Sequence, residues 1–232
     1  MRIDVLTLFP ELFPGPLGGS VIGRAAEAGL VTVNAVDIRA FAKDARGTVD
    51  DKPYGGGPGM LMMPGPLTEA VEAVRDDGCL VVLTSPRGEV FNQQTAAELA
   101  QLDHLVIIAG HYEGVDQRVI EEVVDREISM GDFVMSSGNI AAMAIADAVI
   151  RLIPGALGDD DSTVEESHSM GLLEYPQYTR PAVFRGRRVP DVLLGGDHGK
   201  VAEFRRREAE NITRERRPDM WEKYLQTEMR EV

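Results

Sequence analysis

Residue types suited to ligand chemistry are gathered in three short segments of this sequence that are rich in Gly, Ser and Pro. They are Ser85–Gly88, Gly110–Gly114 and Met130–Gly138. Because Gly carries no Cβ, backbone N–H and C=O groups can approach a ligand closely at such segments. We therefore expect a cavity lined largely by main chain, of a kind that can read the edge of an adenine ring by hydrogen bonds.

Each of these segments is expected to follow a strand of one sheet. The apolar run Leu105–Ala109, bounded by charge and Gly, is typical of a parallel strand buried on both faces, and Cys79–Thr84 has the same character. The almost wholly apolar run Ile140–Ile153 indicates a buried helix. Ligands bind an open α/β sheet at the carboxyl ends of its strands, so the three segments are predicted to meet at one edge.

Strand and helix patterns alternate along the chain up to about Pro154. Strands are predicted over 1–9 and 31–38, and helices over 17–28, 67–75 and 92–102. The alternation predicts an α/β fold with a mainly parallel sheet and flanking helices. Between these elements, residues 53–64 are so rich in Gly and Pro that they cannot form regular structure.

The pattern changes after the α/β part, for which we predict a domain over residues 1–157. Residues 158–179 begin as a polar stretch without periodicity and are predicted to form a mobile interdomain linker. Residues 180–232 contain two helical patterns, one opening near Asp197 and one at Pro218. They are predicted to form a small helical C-terminal domain.

The formal net charge of −14 at pH 7 argues against a nucleic-acid partner, but its distribution weakens that argument. Residues 180–232 hold 13 Lys and Arg against 10 Asp and Glu, whereas residues 1–179 carry an acidic excess of 17. Such asymmetry is expected of a chain that touches a polyanion with one part only. On charge alone, a solvated helical tail remains an equal alternative.

Several common functional sites are excluded by inspection. Neither the Gly-x-Gly-x-x-Gly pattern of dinucleotide binding nor a phosphate-loop pattern occurs. Cys79 is the single cysteine, which excludes an intrachain disulfide and a Cys-rich metal site and suits a reducing cytoplasm. The histidines lack metal-ligand spacing, and each is expected on the surface or in a loop. They are His104, His111, His168 and His198.

The sequence gives no indication of a membrane or secretory segment. Asp4 and Pro10 interrupt the apolar N-terminal run, which therefore reads as a first strand and not as a signal peptide. Asp147 and Arg151 break the longest helical apolar run, which is too short to span a bilayer. We expect a cytoplasmic protein with no membrane partner.

Five motifs, in the same order and spacing, resemble those of the bacterial tRNA (guanine-N1)-methyltransferases, a family of the SPOUT superfamily. They are Tyr54–Met60, Tyr112–Arg118, Gly131–Val134, Ile153–Gly155 and Leu173–Pro181. The resemblance runs from about Phe9 to Pro218. It implies a trefoil-knotted α/β domain, S-adenosyl-L-methionine bound in the knot, and an obligate homodimer with its active sites at the subunit interface.

The same resemblance implies which residues bind the cofactor. They are Leu83, Ser85, Pro86, Gly110, Tyr112, Glu113, Met130, Gly131, Asp132, Phe133, Val134, Met135 and Gly138. Two departures from the family pattern are Glu166, where many relatives have Asp, and His111, where Arg is usual.

The substrate implied by the resemblance is the guanine at position 37 of tRNA, immediately 3′ of the anticodon. A catalytic acid/base then maps to Glu166, an active-site arginine to Arg151 and a further acid to Glu174. The motif around Arg180 and the basic C-terminal part add candidates for substrate binding. These are Arg180, Arg205, Arg206 and Arg207.

The chemistry of the implied reaction agrees with these residue types. N1 of guanine carries a proton and is a poor nucleophile, so a positioned carboxylate is needed to accept that proton as the methyl group arrives. A cation near O6 would stabilise the charge that builds there. His168, two residues after Glu166, is a competing candidate for the base.

Two other functions stay open at this point. One is a SPOUT methyltransferase that acts on another RNA, and the other is a catalytically silent RNA-binding module. The tRNA reading is favoured by the motif around Arg180, and the catalytic reading by Arg151 and Glu166. Whether Mg²⁺ takes part also stays open.

Overall fold

Five parallel strands form one sheet in the N-terminal part of the chain, in the order β2-β1-β6-β5-β7. The structure is a computed structural model that describes residues 1–158 and 166–229. The sheet strands are β1 (Arg2–Thr7), β2 (Thr32–Asp37), β5 (Leu80–Val90), β6 (His104–Ile108) and β7 (Arg126–Ser129). Two short strands, β3 (Asp50–Asp51) and β4 (Leu61–Met62), pair separately in antiparallel fashion.

Helices cover both faces of this sheet, as the fold prediction requires. They are α1 (Pro14–Leu17), α2 (Ser20–Glu27), α3 (Pro64–Val74), α4 (Gln93–Leu99), α5 (Gln117–Val123) and α6 (Asn139–Ile150). Because successive strand residues point to opposite faces, Leu105 of β6 packs with α6, while Val106 packs with α3 and α5. Every residue of β6 is buried, which confirms the strand predicted from its apolar run.

Two local predictions differ from the structure. The helix expected over residues 17–28 is α2, which begins only at Ser20, and Gly18 and Gly19 separate it from the short α1. The loop expected at Ser85–Gly88 lies within β5, where the pairing with β7 shifts so that both Thr84 and Glu89 oppose Ile128. The residues between them form a bulge that closes against the main chain of Glu127, because Gly88 leaves no side chain in the way.

The C-terminal part combines two helices with a small hairpin. Its elements are β8 (Val183–Phe184), β9 (Arg187–Arg188), α7 (His198–Arg216) and α8 (Pro218–Glu228). The side chain of Asp197 accepts a hydrogen bond from the backbone N–H of Lys200 at 3.2 Å and thereby caps α7, and Pro218 opens α8. Both helix starts agree with the sequence prediction, whereas the hairpin was not predicted.

The chain divides into two compact units, Met1–Asp159 and Asp160–Val232. The division falls inside the predicted linker 158–179, of which residues 159–165 lie outside the described residues. The linker prediction itself stays untested. Where described, this segment forms turns, and the backbone N–H of Leu173 donates to the hydroxyl of Thr213 in α7 at 2.8 Å. Within the described ranges, no helix has the length and apolar character needed to cross a membrane.

Candidate functional site

A cavity of about 440 Å³ lies at the carboxyl ends of β6 and β7 and beside the bulge of β5, and all three predicted segments contribute to it. Most of the residues that the sequence assigned to a cofactor line this cavity. They are Leu83, Ser85, Pro86, Gly110, Tyr112, Glu113, Met130, Phe133, Val134, Met135 and Gly138. Gly131 and Asp132 belong to the same segment but are not among the lining residues.

Two of the predicted segments, Gly110–Gly114 and Met130–Gly138, are in direct contact at Gly138. Its backbone N–H donates to the carbonyl of Gly110 at 2.6 Å. A Cβ on Gly138 would lie 2.7 Å from the backbone nitrogen of Gly110 and would overlap the hydroxyl of Thr84. The close approach of these segments therefore requires glycine at this position.

Buried hydroxyl groups hold the strand ends beside the cavity. The hydroxyl of Thr84 donates to the carbonyl of Ile108 at 3.1 Å and accepts from the N–H of Gly110 at 3.2 Å, which joins β5 to β6. The hydroxyl of Thr7 donates to the side-chain oxygen of Asn139 at 2.8 Å, which joins the end of β1 to the start of α6. The bonds of Thr84 fix the spacing of β5 and β6 where both strands line the cavity.

The Gly- and Pro-rich segment 53–64 packs against the middle loop of the cavity. The N–H of Glu113 donates to the carbonyl of Met60 at 3.0 Å, and the N–H of Met62 donates to the carbonyl of Gly114 at 2.9 Å. Gly59 has φ +74° and touches the Glu113 side chain so closely that a Cβ would overlap it. The glycines of this segment thus allow a loop to lie directly on another loop.

Two polar side chains that line the cavity, His111 and Tyr112, have shifted pKa values. Burial lowers the pKa of His111, helped by the nearby Arg39 and opposed by Asp50. Burial and a hydrogen bond with Asp50 raise the pKa of the Tyr112 hydroxyl. Nδ1 of His111 is buried and has no hydrogen-bond partner among the described residues.

The candidate catalytic residues lie outside this cavity lining. Arg151 directly follows the last residue of α6 and is half-buried. Glu166 belongs to the C-terminal unit, where its carbonyl accepts from the N–H of Ser169 at 3.2 Å. Glu174 accepts a side-chain hydrogen bond from Gln177 at 2.5 Å. The competing base His168 is exposed in the same turn as Glu166.

A second cavity, of about 400 Å³, lies wholly within the C-terminal unit. Tyr175, Tyr178, Arg180 and Arg205 contribute to its lining. The guanidinium carbon of Arg205 lies 4.8 Å from the centre of the Tyr175 ring, and Nε of Arg205 has no hydrogen-bond partner among the described residues. Aromatic rings with guanidinium groups are what RNA-binding surfaces use to stack bases and hold phosphates.

The neighbouring basic residues are held in different ways. Arg206 pairs with Glu210 at 3.1 Å, whereas Arg207 reaches Glu208 only at 3.7 Å and lies over the ring of Phe204. The β8–β9 hairpin presents further exposed residues that are candidates for RNA binding. The sequence did not indicate them, because two-residue strands leave no periodic signal. They are Phe184, Arg185, Arg187 and Arg188.

Thr84, Arg87 and His111 also line the first cavity, although the resemblance did not assign them to the cofactor; Arg87 and His111 belong to the segments that the sequence predicted to line it. Thr84 was taken for an ordinary strand residue, although it directly precedes one of the three segments. His111 was expected on the surface or in a loop and lies in a loop, but the cavity gives it a role that its position in the sequence did not reveal.

A parallel sheet with a main-chain-lined cavity at the carboxyl ends of its strands defines an α/β ligand-binding protein. The family model described as tRNA (Guanine-1)-methyltransferase TrmD matches residues 1–223, and the chain belongs to this family.

Relatives that carry this enzyme name are similar to the chain along nearly its whole length. The tRNA (guanine-N(1)-)-methyltransferase of Chloroflexus aggregans is 54% identical over 95% of this chain and 87% of its own. The enzyme of the same name from Rhodospirillum rubrum is 53% identical over 97% of this chain and 94% of its own. That from Dictyoglomus turgidum is 50% identical over 96% and 91%.

Proposed function

We propose that this protein transfers a methyl group from S-adenosyl-L-methionine to N1 of the guanine at position 37 of tRNA, next to the anticodon. The observation that carries the proposal is the cavity at the edge of the sheet, which is built from Ser85–Gly88, Gly110–Gly114 and Met130–Gly138. The chain in which it occurs belongs to the tRNA (Guanine-1)-methyltransferase family. Mass spectrometry of tRNA after incubation with isotopically labelled cofactor tests it. Methylation at a different nucleotide or in another RNA would refute this specificity, and no transfer at all would favour a silent RNA-binding module.

The cavity suits the cofactor because it mixes main-chain polar groups with apolar walls. Gly110 and Gly138 bring backbone groups to its surface, while Leu83, Met130 and Phe133 supply apolar area. Such a lining can accept an adenine ring and hydrogen-bond its edge. The bound cofactor supplies an electrophilic methyl group on a sulfonium sulfur. We further propose that the chain is threaded as the trefoil knot of its superfamily, with Gly138 at the contact between the segments.

The chemical step needs a base for the proton on guanine N1, and we assign it to the carboxylate of Glu166. As that proton leaves, negative charge develops toward O6, where the guanidinium of Arg151 can stabilise it. Glu174 is assigned to binding of the guanine. In this assignment, positioning of the base, the ring and the methyl donor supplies much of the rate. Repeating the assay with a chelator tests whether Mg²⁺ takes part.

An apolar surface beside the cavity supports a homodimer. Phe133, Val134 and Ile140 are 56%, 84% and 64% exposed, although they belong to the predicted cofactor segment or directly follow it. Exposed apolar groups so close together are typical of an interface. We propose that a second copy of the chain covers them and completes each active site.

Replacing Ile140 with Asp should convert the dimer to a monomer, because a carboxylate would be buried at the interface without a partner. Light scattering coupled to size-exclusion chromatography measures the mass, and methyl transfer should fall with it. Met229→Asp is the matched control, since Met229 is 71% exposed at the end of the C-terminal unit. A dimer that survives Ile140→Asp at nanomolar concentration would contradict the proposed interface.

The C-terminal unit is proposed to bind the tRNA. Arg180 and Arg205 line its cavity, Arg206 and Arg207 lie on α7, and the hairpin presents further exposed arginines. The basic excess of residues 180–232, 13 Lys and Arg against 10 Asp and Glu, suits phosphate, while the ring of Tyr175 beside Arg205 suits a base. This division of labour leaves the acidic N-terminal unit to the cofactor.

Arg207→Ala should weaken tRNA binding and reduce the slope of log affinity against log salt by about one, because each phosphate contact releases counterions. Filter binding over a range of salt concentrations measures the slope, and the affinity for the cofactor should not change. Lys43→Ala removes an exposed cation from the N-terminal unit and serves as the control. If both variants bind tRNA with the parental slope, α7 does not contact the tRNA backbone.

A further inference from the structure

A cluster of polar side chains, of which Asp4 and His104 are buried and Asp76 is exposed, lies at the amino ends of the strands, at the edge opposite to the cofactor cavity. Nε2 of His104 lies 2.9 Å from Oδ2 of Asp4, and Nδ1 lies 2.7 Å from Oδ1 of Asp76. His104 is 4% exposed at the first position of β6. The expectation that this histidine lies on the surface or in a loop is therefore wrong.

Both oxygens of the Asp4 carboxylate have partners from neighbouring residues of the sheet. Arg2 reaches Oδ2 at 2.6 Å, and the side-chain amide of Asn34 donates to Oδ1 at 2.7 Å. Asp4 can accept the N–H of His104 Nε2 as its remaining bond. That bond leaves Nδ1 as the position where the ring meets Asp76.

At 2.7 Å, Nδ1 of His104 and Oδ1 of Asp76 form a hydrogen bond with one proton between them. A metal ion can take the place of that proton once the two atoms separate to about 3.3 Å, the spacing of two ligands in a tetrahedral zinc site. In metal sites, a histidine ligand characteristically donates its other N–H to a carboxylate, which sets the tautomer and the ring orientation. The Asp4 bond to His104 has this arrangement.

Cys79 supplies a third ligand at the same point. The N–H of Cys79 donates to the carbonyl of Asp76 at 3.3 Å, which closes an Asp-x-x-Cys turn and carries both side chains to one side. Oxygen, sulfur and nitrogen ligand atoms of Asp76, Cys79 and His104 lie within 4.8 Å of one another. The pattern of one thiolate, one imidazole and one carboxylate suits Zn²⁺.

We propose that Asp76, Cys79 and His104 form a binding site for Zn²⁺, with water in the fourth position. Binding displaces one proton from Nδ1 of His104 and one from the thiol of Cys79. In the proposed site, Zn²⁺ and Arg2 carry three positive charges, and Asp4, Asp76 and the thiolate of Cys79 carry three negative charges.

This site is structural, because it lies at the amino ends of the strands and the cofactor cavity lies at their carboxyl ends. Zn²⁺ would fasten the turn between α3 and β5 to the start of β6. The proposal is independent of the methyl-transfer function, and its test needs no enzymatic activity.

Cobalt and thiol chemistry together provide the test on the tag-free full chain. Since Cys79 is the single cysteine, a thiolate-to-cobalt absorption band with Co²⁺ reports this residue alone. One equivalent of Zn²⁺ should abolish the band and slow alkylation of Cys79 by iodoacetamide by about tenfold or more, because the free thiolate is the nucleophile.

Variants of exposed carboxylates make the test specific without disturbing the core. Asp76→Ala should lose the cobalt band and the protection by Zn²⁺, whereas Asp77→Ala, the adjacent exposed acid outside the cluster, should keep both. Circular dichroism verifies that each variant is folded. Absence of the band in the parental protein, or equal protection in Asp76→Ala, would overturn the proposal and leave a proton between His104 and Asp76.

Discussion

Glu166→Gln slows methyl transfer on the order of a hundredfold or more, if the carboxylate is the base that takes the N1 proton. The amide keeps the size and the hydrogen-bonding capacity of the side chain but cannot accept a proton. Binding should change little, because the loss lies in the transition state. Single-turnover assays at saturating tRNA and cofactor measure the rate without product release.

His168→Asn is the matched variant for this experiment. His168 is exposed two residues away and has φ +75°, a conformation that Asn tolerates better than most residues. The turn that carries Glu166 should therefore keep its shape, and the rate should be nearly unchanged. A crippled His168→Asn beside a nearly normal Glu166→Gln would assign the base to His168.

Gly138→Ala is expected to lower cofactor affinity about ten- to a hundredfold, since overpacking of a tight site costs about 1–3 kcal/mol. The added methyl group would meet the hydroxyl of Thr84 and the backbone nitrogen of Gly110. Relief of that overlap must separate the two glycine segments that line the cavity. Calorimetric titration with the cofactor measures the affinity, and a thermal melt measures the accompanying loss of stability.

Gly65→Ala provides the control for glycine replacement itself. Gly65 lies in the first turn of α3, has no heavy atom within 4 Å of its Cβ position and does not have positive φ. Alanine there should leave cofactor binding unchanged and raise the melting temperature slightly, since alanine favours helix by up to about 1 kcal/mol. Parental affinity in Gly138→Ala would show that the segments can separate without consequence for the ligand.

Much of the sheet could be predicted because its strands have strong local signals. A continuous apolar run predicts the buried strand β6, and an apolar stretch too long for a strand predicts α6. The starts of α7 and α8 follow from Asp197 and Pro218, whose capping roles are local. Where local signals compete, prediction failed: Gly88 suggested a loop, yet its lack of a side chain is what keeps the bulge against β7.

The family and its implied reaction could be recognised from the motifs, since their order and spacing survive in the linear chain. The sequence also predicted that three segments meet at one edge of the sheet and form a cavity. Which strands are neighbours there depends on the order β6-β5-β7, which no residue pattern specifies. Gly131 and Asp132 were assigned with their neighbours, but only the path of the backbone decides which members of a segment line the cavity.

By itself, the sequence determined the elements with periodic or continuous hydrophobic signals, the glycine segments and the family. The tertiary structure alone decided which distant groups meet. His104 lies 28 residues from Asp76 and 100 from Asp4, and the three are joined only because β1 and β6 are neighbours. Hydrophobic periodicity reports which face of an element is buried, whereas contacts between polar side chains depend on strand order and register, which arise from packing of the whole sheet.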